Sequence, residues 1–311
     1  MNNRANHADS YTPIYDERLY RGYAEVAPVC TKMGMFQEIT DKTKEYKTSE
    51  ISGTGMWDIA QEGEGGNFVD MVEGYNKTFT QVKYRQDIPI TFEAVDHDEY
   101  AIMKKAVAAE KMGRGARARI ERETSGVLLD AFSVAGPDGQ YGFDSDHPQN
   151  SEETATTFDN LLTGAFSHDN LDAAETQLAA NYIGEDNLPI EAADSPIILH
   201  PYALNGAVDR VLSGDARERP GTANRDINRF AGMYRPLNWR YLSISDGGYT
   251  GSTTAWYMIY PEQQMLKLIF SQKPNFTNYI DNNLELYIFK GRMLFDCGYT
   301  NWRFGLASTG A

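Results

Sequence analysis

The stretch Asp138-Gly139-Gln140-Tyr141-Gly142-Phe143-Asp144-Ser145-Asp146-His147-Pro148 decides how the rest of this chain is read. Gly139 and Gly142 among Asp and Ser define a turn, because those side chains bond neighbouring backbone and glycine accepts left-handed dihedrals. Asp138, Asp144, Asp146 and His147 also bring carboxylates and an imidazole close in sequence, the donor types that hydrolytic metals use. Their spacing matches neither an EF-hand, which needs a glycine at its sixth position and a closing Glu, nor a His-Glu-x-x-His helix. Ser145 beside Asp146 and His147 does not make a triad, since adjacent residues do not converge and no Gly-x-Ser-x-Gly elbow is present. The turn is therefore expected to supply shape. A metal-dependent hydrolase built on Asp138, Asp144, Asp146 and His147 is the enzymatic alternative.

Upstream of the turn there is no proline between Pro89 and Pro137. Ile102, Ala106, Ala109, Gly113, Ala116, Ile120, Thr124, Val127 and Ala131 recur there at steps of three and four, which is one helical face. The spacing predicts a helix over 98–132, about 50 Å long at 1.5 Å per residue, which Gly113 and Gly115 could bend. Lys104, Lys105, Lys111, Arg114, Arg117, Arg119 and Arg122 make it the most basic part of the chain. Glu110 stands four residues before Arg114, and Arg117 and Arg119 four before Glu121 and Glu123, which reads as paired charges on a solvated face.

Before this helix, residues 48–75 carry Gly53, Gly55, Gly63, Gly65, Gly66 and Gly74 among Asp58, Glu62, Glu64, Asp70 and Glu73. Loops of this length in compact domains are functional or disordered. Alternation at Phe79, Val82, Tyr84, Ile88, Ile90 and Phe92 reads as strands leaving the loop. Glycines lacking a Gly-Lys-Ser/Thr or Gly-x-Gly-x-x-Gly context do not make a phosphate site. Residues 1–28 show no sustained periodicity and read as an arm that another surface must order.

After the turn, a helix capped by Asp169 or Asn170 carries Leu171, Ala174 and Leu178. Ile197-Ile198-Leu199 is a short buried strand stopped at Pro201, and a second helix carries Leu204, Ala207, Val208, Val211 and Leu212. Strands are expected at 237–244, 255–260, 265–270, 276–280 and 284–289, the last two joined by Asp281-Asn282-Asn283.

This order of parts resembles the major capsid proteins of tailed phages, the Mu-like head group among others, from about Cys30 onward. In that family a long spine helix ends in a glycine-containing turn, an Asp-Gly run, a Phe and a His-Pro pair, as Asp138, Gly139, Phe143, His147 and Pro148 stand here. A Trp-Arg pair follows near the end, here Trp302 and Arg303. Asn301 stands where an Asp commonly precedes that pair. The resemblance implies an α+β, Hong Kong 97-type capsid fold. Its parts would be an N-terminal arm (1–36), an extended E-loop hairpin with flanking strands (37–92) and the spine helix of a peripheral domain (93–137). Then come the signature turn and connecting helix (138–189), an axial domain (190–272), and return strands of the peripheral domain with the C-terminus (273–311).

The resemblance further implies self-assembly into hexamers and pentamers of an icosahedral shell around double-stranded DNA held without sequence specificity. Scaffold, portal and decoration proteins would be partners, with no cofactor, no catalysis and no membrane. The place of action would be the virion capsid, assembled in the host cytoplasm. An encapsulin-type nanocompartment shell shares the fold and is the alternative. Gly53, Trp57, Gly63, Gly66, Phe68 and Gly74 are then expected to form an assembly loop that docks on an adjacent copy. Lys104, Lys111, Arg114 and Arg117 would form an inner basic face toward the packaged DNA. The loop 214–226 would approach the capsomer axis, and the hairpin near Asn282 would lie at contacts between capsomers.

Composition fits this reading. In 311 residues, hydrophobic residues at 41% and charged residues at 23% suit a globular chain. A net charge of -15 argues against gripping nucleic acid with an overall positive field. No apolar run is long enough for a membrane span and the N-terminus lacks a signal-peptide core, so a chain soluble and cytoplasmic at synthesis is expected. Cys30 and Cys297, far apart and outside any Cys-x-x-Cys spacing, read as two buried thiols.

Overall fold

The computed structural model describes residues 8–311 apart from 60, 64, 67, 69–70, 72, 94–96, 98–104, 152–153, 155, 191–195 and 214–227, with backbone alone for 8–16 and 105–108. In chain order come α1 (Ala8–Glu25), β1 (Gln37–Thr40), the loop hairpin β2 (Glu45–Ile51) and β3 (Glu73–Thr80), β4 (Val82–Thr91) and the long helix α2 (Lys105–Asp130). The signature region holds the short strands β5 (His147–Pro148), β6 (Thr157–Phe158) and β7 (Leu161–Leu162). Next are α3 (His168–Asn181), β8 (Ile197–His200), α4 (Asn205–Leu212), β9 (Arg235–Asn238) and β10 (Trp256–Ile259). A long hairpin, β11 (Leu266–Asp281) and β12 (Leu286–Tyr299), precedes β13 (Gly305–Ser308).

Two sheets organise the molecule. The first has the order β1-β11-β12-β4, with β1 parallel to β11 and the other pairs antiparallel. Sequence alternation breaks near Pro274, which suggests separate strands at 265–270 and 276–280. The structure joins them as β11, with register irregularities from Phe270 to Asn275, because a bulge accepts a residue that has no N–H to give the ladder. At the hairpin's end the Asp281 carboxylate accepts from the backbone N–H of Asn283 at 3.0 Å and of Leu284 at 3.3 Å, a side chain standing in for the missing strand partner.

The second sheet, β7-β13-β10-β8-β9, is buried on both faces, and the two-residue period of a strand sorts its side chains. Ile197, Leu199, Tyr257, Ile259 and Ala307 enter the core that contains Ile120, Leu128 and Phe143 of the spine side. Ile198, Trp256, Met258 and Leu306 point the other way, onto Leu171, Ala174 and Leu178 of α3 and Val208, Val211 and Leu212 of α4. Strands of this sheet also come from outside 190–272, the range expected for an axial domain. This sheet also takes β7 and β13, and residues 266–272 belong to β11 of the first sheet. The N-cap of α3 is Ser167, whose side chain accepts from the Asn170 N–H, instead of Asp169 or Asn170. Between β9 and β10 the expected strand 237–244 is short, because a 3-10 turn occupies Arg240–Ser243.

The N-terminal segment, read from the sequence as an arm that another surface must order, holds the helix α1, which lies along α2 of the same chain. Its apolar periodicity is weak because backbone approach makes much of the contact. A Cβ on Gly22 would fall inside the van der Waals radius of Glu110 O, and one on Gly113 inside that of Leu19 O. Leu19 fills the crossing together with Ala109 and Met112. Gly113 therefore serves contact, whereas at Gly115 the nearest atom to an added Cβ is Gln86 Oε1, at 3.7 Å. Gly113→Ala is expected to destabilise the protein by about 1–3 kcal/mol by forcing the helices apart. Gly115→Ala should be neutral or gain up to about 1 kcal/mol of helix propensity. Thermal unfolding and proteolytic release of α1 read the contrast.

Candidate functional site

Past Asp130 the chain turns back on the end of α2, with the Phe143 N–H donating to Ala131 O at 2.9 Å. Gly139 sits at φ 87°, and a Cβ on Gly142 would lie 2.9 Å from both Ala131 Cβ and Tyr299 Cζ. Those two positions demand glycine. Phe143 then fills an aromatic nest with Phe132, Tyr257 and Phe304.

His147 is fully buried. Its Nδ1 lies 2.6 Å from Asp138 Oδ2, its Nε2 lies 3.2 Å from Asn160 Oδ1, and its ring stacks on Trp302 at 4.6 Å and 13°. Asn160 is the hub that sequence reasoning missed. Its Oδ1 also accepts from the Asp144 N–H at 2.9 Å, and its Nδ2 donates to Gly142 O, Trp302 O and Gly305 O at 3.0–3.3 Å. The Arg303 guanidinium donates to Ile183 O at 2.6 Å and Gln149 O at 2.7 Å, and burial pulls its pKa down. The signature residues Asp138, Gly139, Phe143, His147, Pro148, Trp302 and Arg303 thus knot the end of α2 to the segment between β12 and β13. Asp144 and Asp146 do not join the Asp138–His147 pair. Asp144 accepts from the Ser145 N–H at 2.7 Å and Asp146 is exposed. Among the described residues no group of three or more His, Cys, Asp and Glu could hold a metal ion.

The loop residues divide into a root and a tip. At the root, Gly53 and Gly74 pass directly over Asp186 and Glu185 of the turn that follows α3. At the tip, Gly63, Gly65 and Gly66 have open space around them. Met56, Trp57, Ile59, Phe68 and Met71 are all exposed there, Trp57 to 90% and Phe68 completely. Tyr279, Ile280 and Leu284 make a second exposed apolar group at the end of the long hairpin.

The described basic residues of α2 differ in their surroundings. Lys104 lies outside the described residues, Lys111 is exposed, and Arg114 pairs with Glu25 of α1 at 3.7 Å. Arg117 is 6% exposed, pairs with Glu121 at 2.9 Å and donates to Tyr23 Oη at 3.1 Å. The cause is α1, which covers this part of α2. Arg117–Glu121 and Arg119–Glu123 do pair as spaced, but the first pair is buried instead of solvated. Glu110 pairs with Arg18 of α1 at 3.5 Å. The two thiols are free, Cys30 buried and Cys297 half-buried. No helix among the described residues is long and apolar enough to cross a membrane.

A long helix against a four-stranded sheet, a both-faces-buried five-stranded sheet and an extended hairpin with an apolar tip together define a shell-forming capsid fold. Solved structures share it. The mature capsid of bacteriophage PhiM1 matches at TM-score 0.59 and 12% identity over 89% of this chain and 85% of that one. A virus-like particle from Pyrococcus furiosus matches at 0.50 and 10%, over 94% and 96%. The capsid of bacteriophage JBD30 decorated with minor capsid protein trimers matches at 0.53 and 12%, over 70% and 91%. No curated protein matches the sequence. A family model described as phage capsid protein matches residues 74–306, and the chain belongs to that family. It is a structural component of the virion shell and not an enzyme.

Proposed function

We propose that the chain is the repeating major subunit of a tailed-phage head, forming hexamers and pentamers that close an icosahedral shell around double-stranded DNA. The observation that carries this reading is the loop tip, where Met56, Trp57, Ile59, Phe68 and Met71 stand exposed beyond a clamped root. Apolar area of that kind marks an interaction surface, and in a closed symmetric assembly each copy presents the same patch and receives it. The loop therefore docks on the spine helix or first sheet of an adjacent copy, while Tyr279, Ile280 and Leu284 meet other capsomers. Lys111 and Arg114 are the basic residues left to face the DNA. Scaffold, portal and decoration proteins complete the assembly in the host cytoplasm. Membership of the Mu-like head group is supported by the Asp138 to Pro148 signature and the Trp302-Arg303 pair.

Light scattering and electron microscopy of the purified chain, alone and with a scaffold protein, test this. Rings, sheets or closed shells are expected to appear with rising concentration. Monomer alone across concentration, salt and scaffold addition would overturn the reading.

A further inference from the structure

We propose that Glu50, Asn301 and Glu185 form a proton-operated latch that holds the loop end of the β2–β3 hairpin against the 183–188 turn and frees it once Glu185 is ionised beside Glu50. Asn301 Nδ2 donates to Glu50 Oε2 at 2.7 Å and to Glu185 Oε1 at 3.2 Å, so carboxyls from two distant segments meet at one amide nitrogen. The Glu185 side chain is only 10% exposed. Arg303 is the cation facing it, 3.9 Å away, with other nitrogens committed to Ile183 O and Gln149 O. Among the described residues the phenol of Tyr75 on β3 also faces the pair, and the Asp138 carboxylate acts in turn on Tyr75. Tyr75 is itself pushed up to about 12, by burial first and then by Asp138, Glu185 and Glu50 against the lowering effect of Arg303.

One proton shared between two carboxyls removes their repulsion, whereas two carboxylates in a half-buried site repel strongly. Burial, then Glu50, pushes the Glu185 carboxyl up to about 7. The hairpin has no slack to absorb that repulsion. A Cβ on Gly74 would lie 2.6 Å from Glu185 Oε2 and 3.0 Å from Glu50 Cβ, so the backbone of β3 rests on the carboxyl itself. Glu50 and Gly74 stand at the loop end of the β2–β3 pairing, opposite its Glu45–Thr80 end, so the contact fixes the direction in which the loop leaves the strands. The closed root binds the proton more tightly than an open one. Closure is therefore favoured fully below the ordinary Glu value of 4.5 and weakens as pH rises to about 7.

The test uses the unassembled subunit with spin labels at Glu62→Cys on the loop tip and Ala180→Cys on α3, so it stands apart from whether the loop docks on a neighbour. The labels go into a Cys30→Ser, Cys297→Ser background, because Cys297 is only half-buried and would otherwise compete for the label. A single tip-to-α3 distance is expected at about pH 5 and a longer, broader distribution at about pH 8.5, with the closed-to-open ratio changing by up to about two orders of magnitude. Glu185→Gln, or Glu50→Gln if circular dichroism shows the first variant unfolded, should keep the single distance at both pH values. Asn301→Asp, which removes the donor and adds a third carboxyl, should give the broad distribution at both. Identical distances at the two pH values in the parent chain, or an undiminished shift in the Gln variants, would overturn the latch.

Discussion

Trp57→Ser combined with Phe68→Ser leaves a folded, soluble subunit that no longer builds shells. Neither ring is packed against its own chain, since Trp57 is 90% exposed and Phe68 entirely so. Removing them therefore takes nothing from the fold. Burying a large apolar side chain is worth about 1.5–3 kcal/mol, so losing both weakens each inter-subunit contact by about 3–6 kcal/mol, a factor of roughly a hundred to ten thousand. Every copy in a shell repeats the loss. Circular dichroism should match the parent chain while electron microscopy shows no closed particles. Normal shells from this variant would rule out the loop as an assembly element.

Asn160→Ala produces the largest loss of stability expected from any single change in the signature region. The substitution strands the carbonyls of Gly142, Trp302 and Gly305, the Asp144 N–H and one nitrogen of His147, all inside a buried knot. Leaving a buried polar group without its partner costs about 1–3 kcal/mol, and relaxation recovers part of the sum, so about 3–5 kcal/mol is expected. Denaturant unfolding measures it as a lower midpoint with an unchanged slope. A change of under about 1 kcal/mol would mean that the knot is held by its aromatic stacking alone.

The parts that were legible in the sequence carry local signals. The spine helix showed in the steps from Ala109 to Ala131, and the extended loop showed in its glycines between alternating strands. The turn after α2 showed in Asp138, Gly139 and Phe143. What escaped depends on tertiary contact. Gly22 lies against Glu110 and Gly113 against Leu19, backbone approaches that need no apolar stripe on residues 1–28, so α1 read as an arm that another surface must order. Arg117 and Glu121 look like any surface pair four apart until Tyr23 of α1 meets the first and Cys30 the second. Asn160 has no motif around it, and its partners lie up to 145 positions away. Asn301 stood out only as a departure from the family pattern. Its amide, which an Asp could not supply, is what joins Glu50 to Glu185.

The place of β13 in the second sheet bears on how the chain is made. Residues 305–308 pair with β7 on one side and β10 on the other. The strand that unites the sheet thus leaves the ribosome after both of its neighbours. Until it arrives, β7 and β10 carry open hydrogen-bonding edges and an unfinished core, the state in which chains stick to one another or engage chaperones. A nascent or prematurely terminated chain therefore cannot present a finished subunit.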